Sequence, residues 1–179
     1  MKRKIKNIYI DGLGNSGKTS VSREIKHYLS NKINNLHTLK GTTQDTLSEQ
    51  MKKLSEGAFI LKENSVLSDF HTDLENNKSY KDMETEHFAN INTEKDINNN
   101  SGAAHFFLIP TMEKTAKILH LACQTVPDNW LFIRKFYLNI NQYTMTQGLD
   151  INLIEFEEWE QIYDVRDKII SILDEKYEL

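Results

Sequence analysis

Gly12-Leu13-Gly14-Asn15-Ser16-Gly17-Lys18-Thr19 is the stretch on which the reading of this chain turns. It fits the pattern G-x-x-x-x-G-K-[ST]. Before it, Ile5, Ile8, Tyr9 and Ile10 form a short apolar run that predicts a buried strand, interrupted at Asp11. After it, Val21, Ile25, Tyr28 and Leu29 recur at helical spacing and predict a helix over 18–29. Three of the seven glycines fall between positions 12 and 17. A polyphosphate needs several backbone N–H groups turned towards it, and glycines let the chain curl tightly and approach closely. The helix that follows adds its positive end. In such a loop the lysine reaches the β- and γ-phosphates and the hydroxyl ligates Mg²⁺. Gly12, Gly14, Asn15, Ser16, Gly17, Lys18 and Thr19 are therefore the candidate nucleotide-binding residues, with Thr19 a metal ligand. Average residue usage makes a chance match in a chain of this length about a one-in-a-hundred event.

The wider composition agrees. The chain has 179 residues, enough for one domain with a real core. Acids exceed bases, 26 to 22, for a net charge of −4, which argues against a dedicated nucleic-acid groove. No apolar run is long enough to span a membrane. The basic start, Lys2-Arg3-Lys4-Ile5-Lys6, leads into no signal-peptide core. Cys123 is the single cysteine, which excludes an internal disulfide and a cysteine-based zinc site. The six histidines show no ligand spacing. A cytoplasmic protein is the expectation.

Beyond the first helix the pattern keeps alternating. Leu36–Leu39 is a weak strand. Thr42-Thr43-Gln44-Asp45 opens a helix through Met51 and Leu54 that stops at Gly57, and Ala58–Leu61 reads as a central strand. Ser65 caps a helix with Val66, Leu67 and Phe70. Ala103–Leu108 is another strand, and Thr111 caps the helix after it. Pro127-Asp128 starts a helix with Trp130, Ile133, Tyr137 and Ile140 on one face, ended by Gly148. Ile151–Phe156 is a last strand, and Ile162, Val165, Ile169 and Leu173 mark the final helix. The expected fold is α/β, a parallel sheet of about five strands between helical layers. Residues 75–101 are polar. There a helix over Asp82–Ile91 is expected, with the runs Asn76-Asn77 and Asn98-Asn99-Asn100 as exposed loop.

A phosphate site also needs a carboxylate near the end of a neighbouring strand. Phe59-Ile60-Leu61-Lys62 leads into Glu63, where open α/β sheets bind their ligands. Glu63 is thus the candidate metal-shell acid, and Lys18 and Glu63 are the candidate catalytic residues.

Together these motifs resemble a family. Ile10-Asp11 with the phosphate loop is similar to the opening of thymidylate kinases. Glu63-Asn64-Ser65-Val66-Leu67-Ser68-Asp69 resembles the E-R-S-x-x-S-D stretch of deoxynucleoside kinases, and Phe106 to Leu119 resembles their fourth strand and following helix. Both groups belong to the P-loop nucleotide kinases. The resemblance implies a three-layer kinase fold over 1–179, ATP with Mg²⁺, and transfer of a phosphoryl group to a deoxynucleoside monophosphate. Its alternatives are a deoxynucleoside acceptor, a nucleotide-binding protein without turnover, and a modified base in DNA. It also implies an acceptor site at Asp69 and Phe70, and leaves a homodimer open. Four departures stand out. Asn64 occupies the place of a family arginine, the phosphate loop holds no acid or arginine, and 120–129 holds no arginine. Lys40-Gly41-Thr42-Thr43 stands where deoxynucleoside kinases carry a carboxylate after the second strand. An arginine on a transferring phosphoryl group is worth about 10³–10⁵ in rate. Lys114, Lys117 and Arg134 are the candidate substitutes.

Overall fold

The apolar strand ahead of the phosphate loop becomes the middle of a sheet. The computed structural model describes residues 2–68, 80–99, 101–121, 124–125 and 130–179, with backbone alone at 80–81, 83–84, 133, 136 and 140. The chain runs β1 (Arg3–Lys4), β2 (Asn7–Gly12), α1 (Lys18–Ser30), β3 (Leu36–Lys40), α2 (Gln44–Ser55) and β4 (Phe59–Glu63). A short 3₁₀ turn, Val66–Ser68, follows. Then come α3 (Tyr80–Asn98), β5 (Ala103–Pro110), α4 (Met112–Leu121), α5 (Trp130–Thr146), β6 (Ile151–Phe156), α6 (Ile162–Lys176) and β7 (Tyr177–Glu178).

Five strands form one parallel sheet in the order β3-β4-β2-β5-β6. The phosphate-loop strand is central, with β4 on one side and β5 on the other. All six residues of β2 are buried, as befits a parallel strand covered on both faces. The chain leaves β2 towards β3 and later returns to β2's other flank at β5. The order therefore reverses beside β2, and the carboxyl ends of the strands there form a ligand crevice.

Helices α1 and α6 cover one face. Val21, Ile25 and Leu29 recur every fourth residue on α1, as do Val165, Ile169 and Leu173 on α6. They pack with Ile8, Ile10, Leu61, Phe106 and Leu108 into one apolar cluster. The opposite face holds a second cluster of Leu13, Leu67, Ile91, Phe107, Ile109, Trp130, Tyr137 and Ile151.

The sheet has the expected strands, and two expectations are corrected. The helix after residue 80 spans 19 residues, well beyond Asp82–Ile91. Asn98 is its buried last residue, not exposed loop: its amide donates to Glu94 Oε1 at 2.7 Å. At the basic start, exposed β1 pairs in parallel with β7, and Arg3 meets Asp150 at 2.9 Å. Asp69, Phe70, Cys123 and the helix start at Pro127-Asp128 lie outside the described residues. Among the described residues no helix is long and apolar enough to cross a membrane.

Candidate functional site

The loop between β2 and α1 has the backbone its glycines allow. Gly12 has φ 144°, Asn15 57° and Gly17 84°. Gly12 has a packing reason as well: a Cβ there would lie 2.5 Å from the Leu108 carbonyl oxygen. No side chain caps α1, and no acid stands in its first turn, so its N-terminal N–H groups and positive end face the loop unneutralised. Ser16 Oγ is buried in the loop with no hydrogen-bond partner among the described residues. An uncapped helix start and an orphaned hydroxyl are what an anion would satisfy.

Lys18 folds back over the loop. Its ammonium donates to the carbonyl oxygens of Gly12, at 3.0 Å, and Leu13, at 2.9 Å. Burial lowers its pKa from the ordinary lysine value, opposed by Asp11 and Glu63 and reinforced by Lys40. Thr19 points to β4, and its hydroxyl donates to Glu63 Oε1 at 2.6 Å. The pairing of β3 with β4 sets Lys40 beside Glu63. Lys40 Nζ stands 3.1 Å from Glu63 Oε1 and 3.3 Å from Thr19 Oγ1. The structure thus brings the candidate residues Lys18, Thr19 and Glu63 together and adds Lys40. The sign for Lys40 lies in the register of two strands, which no local motif carries.

Thr19 and Glu63 offer the hard oxygens Mg²⁺ favours, and a lysine ammonium is already drawn to the same pair, so the chemistry of the donors fits that ion. Among the described residues no group of three His, Cys, Asp or Glu could hold a metal alone. An ion here would share its shell with phosphate and water.

Asp11 is the part of the site that sequence reading missed. It took Asp11 as a break in an apolar run. The side chain is fully buried, and its carboxylate accepts from Ser65 N–H at 2.6 Å and from Ser65 Oγ at 2.9 Å. Asp11 thereby ties the residue before the phosphate loop to the segment that follows Glu63. Between them Asn64 adopts φ 69°, a left-handed conformation that asparagine tolerates better than arginine. The candidate substitute cations are engaged elsewhere. Lys114 donates to the carbonyls of Glu158 and Glu160, Lys117 pairs with Glu158, and Arg134 pairs with Glu155.

No protein-family model matches the chain, and no curated protein matches it. Solved structures do. Thymidylate kinase from Ehrlichia chaffeensis superposes with a TM-score of 0.58 at 12% identity, over 96% of this chain and 99% of that one. Deoxyadenosine kinase from M. mycoides gives 0.52 at 14% identity, over 94% and 98%. A gluconokinase from Sinorhizobium meliloti gives 0.50 at 12%, over 97% and 94%. At such identities the likeness is one of architecture, and it extends over nearly the whole of each chain. The five-stranded parallel sheet with its glycine loop between β2 and α1 is the α/β fold of the P-loop kinases.

Proposed function

We propose that residues 1–179 act as one kinase domain that transfers the γ-phosphoryl group of ATP to a deoxynucleoside monophosphate in the cytoplasm. The observation that carries this reading is the convergence of Lys18, Thr19 and Glu63 around an uncapped helix start. The loop amides and Lys18 bind the phosphates, with Lys18 leaving the Gly12 and Leu13 carbonyls to do so. Thr19 and Glu63 would hold Mg²⁺, which would neutralise charge on the triphosphate. An acceptor oxygen forms a bond to the γ-phosphorus as the bond to the β-bridging oxygen breaks, and that oxygen leaves with the electron pair on ADP. Positioning and charge neutralisation supply the rate.

Among the described residues the same geometry favours a phosphate acceptor over a hydroxyl. A hydroxyl must lose a proton, which calls for a base. At the end of β3 stands Lys40, and Glu63 is taken up by Thr19 and Lys40. An ionised phosphate oxygen attacks with no proton to lose. The resemblance assigns the acceptor's place to Asp69 and Phe70. A protein that binds nucleotide without turnover is the second reading, favoured by Asn64 in place of an arginine.

Two measurements test the proposal. Mg·ATP at about a hundred times its Kd stabilises a folded protein by about 2.7 kcal/mol, here a melting-temperature rise of about 5–10 °C. Lys18→Ala should remove most of that gain, and an undiminished gain would show that the phosphates bind elsewhere. Radiolabelled ATP with a panel of deoxynucleosides and their monophosphates should label a monophosphate. Label on nucleosides alone would reassign the acceptor, and a stabilised protein that labels nothing would establish the second reading.

A further inference from the structure

We propose that Lys40 is a built-in counter-ion of the phosphate site: it occupies the divalent-metal position when no metal is there and lets the chain bind a nucleoside triphosphate without one. This rests on the phosphate-loop reading above and goes beyond it.

Three observations carry the proposal. The first is position. Lys40 ends β3 directly opposite Glu63, the last residue of β4, and its ammonium contacts the two oxygens that suit a hard cation, Glu63 Oε1 at 3.1 Å and Thr19 Oγ1 at 3.3 Å. The second is division of labour. Lys18 is bound to the carbonyls of Gly12 and Leu13, so the two lysines serve different oxygens, and Lys40 covers the pair Lys18 leaves. The third is freedom to move. The Lys40 side chain is 65% exposed and is followed by Gly41 at φ 85° with open space around it. It borders a groove of about 320 Å³ that also takes in Arg23, Lys26 and Glu63. Glu63 itself is only 10% exposed, but the lysine end of the pair stands in solvent. The ammonium can therefore turn from Glu63 to a phosphate oxygen without disturbing packed atoms.

The consequence is chemical. A triphosphate entering without Mg²⁺ brings its anionic oxygens against Glu63, and like charges repel. Lys40, lying between them, offsets that repulsion. When Mg²⁺ accompanies the nucleotide, Lys40 gives up Glu63 and Thr19, and its contribution to affinity shrinks. The signature is a small ratio between the ATP Kd measured with a chelator and the Kd measured with Mg²⁺.

Calorimetric titration of ATP into the full chain, in EDTA and in Mg²⁺, tests this with no reliance on turnover. Lys40→Gln should raise the ratio about tenfold, a change of about 1.4 kcal/mol. Lys40→Arg should restore the wild-type ratio. Lys26→Gln removes a charge from the same groove without touching Glu63, and it should leave the ratio unchanged. If Lys40→Gln binds Mg·ATP but keeps the wild-type ratio, or if Lys26→Gln raises the ratio equally, the assignment of Lys40 is overturned. If the wild type fails to bind Mg·ATP at all, the phosphate-loop reading falls, and this proposal with it.

Discussion

The two faces of the central sheet are built on different chemistry. Beneath α1 and α6 the strands present Ile8, Ile10, Leu61, Phe106 and Leu108, and the helices meet them with valine, isoleucine and leucine. On the other face, beside the second apolar cluster, the same strands present Asn7, Tyr9, Asp11, Lys62 and His105, all buried. These side chains form a continuous network. Lys62 donates to Gln50 at 2.9 Å, and Gln50 donates to the Tyr9 hydroxyl at 2.6 Å. Asn98 bonds Tyr9 and Glu94, Tyr9 stacks on His105 at 4.4 Å, and His105 Nδ1 lies 3.3 Å from Asp11. Burial with a nearby Glu94 carboxylate pushes the Tyr9 phenol well above its ordinary pKa, so it stays a neutral hydrogen-bonding group. A satisfied buried polar network rigidifies the elements that carry it and specifies one arrangement of them. The network ends at Asp11 and Ser65, the junction that sets the phosphate loop beside Glu63. The apolar face holds the sheet together, and the polar face aligns the site.

Substitutions that cut each face should separate these roles. Phe106→Ala, a fully buried site in the apolar cluster, should lower stability by about 4 kcal/mol in urea unfolding. Its folded fraction should keep the full stabilisation by Mg·ATP. Asp11→Ala leaves the Ser65 N–H and hydroxyl without their acceptor and should lower stability by about 3 kcal/mol. Here the gain from Mg·ATP should also shrink, because the loop and Glu63 lose their common anchor. Equal loss of the nucleotide effect in both variants would mean that the two faces do not differ in this way.

What was legible in the sequence follows the same division. The glycine loop, the strands and α1 and α6 announce themselves through apolar periodicity and a motif whose spacing is local. The polar face does not. Helix α3 was foreseen only in part, because its buried residues among the described side chains are His87, Ile91, Glu94 and Asn98. Their spacing is helical, but three of the four are polar, so a hydrophobic pattern shows almost nothing. In β2 the alternation Asn7, Tyr9, Asp11 against Ile8 and Ile10 reads, in hindsight, as two faces of one strand. Lys62 is 1% exposed although lysine is among the residues least often buried, and its place depends on Gln50, twelve positions away and on a different element. Lys40 beside Glu63 and β1 beside β7 arise from pairing across the chain, which only the folded register supplies.

The smallest expected effect concerns pH and sharpens the contrast between the faces. His87 on α3 is buried against α5, with Nε2 2.8 Å from the Thr144 hydroxyl, and burial pushes its pKa from 6.5 down to about 4. In the unfolded chain the ring takes up a proton near pH 6.5, whereas in the folded protein it resists until about pH 4. Between these values the unfolded state binds more protons, so stability is fully present above the upper value and is lost as the pH falls through the window. At pH 5 the loss amounts to about 2 kcal/mol. Urea unfolding across this range should show that decline in the wild type and a flatter profile in His87→Gln, which keeps a hydrogen-bonding group towards Thr144 but cannot titrate. Phe106→Ala should lower the whole profile and leave its slope alone, because the substitution removes no titrating group. Parallel profiles for wild type and His87→Gln would show that the imidazole is hydrated and charges freely. The polar layer would then be open to water at α3, not sealed as the contact with Thr144 requires.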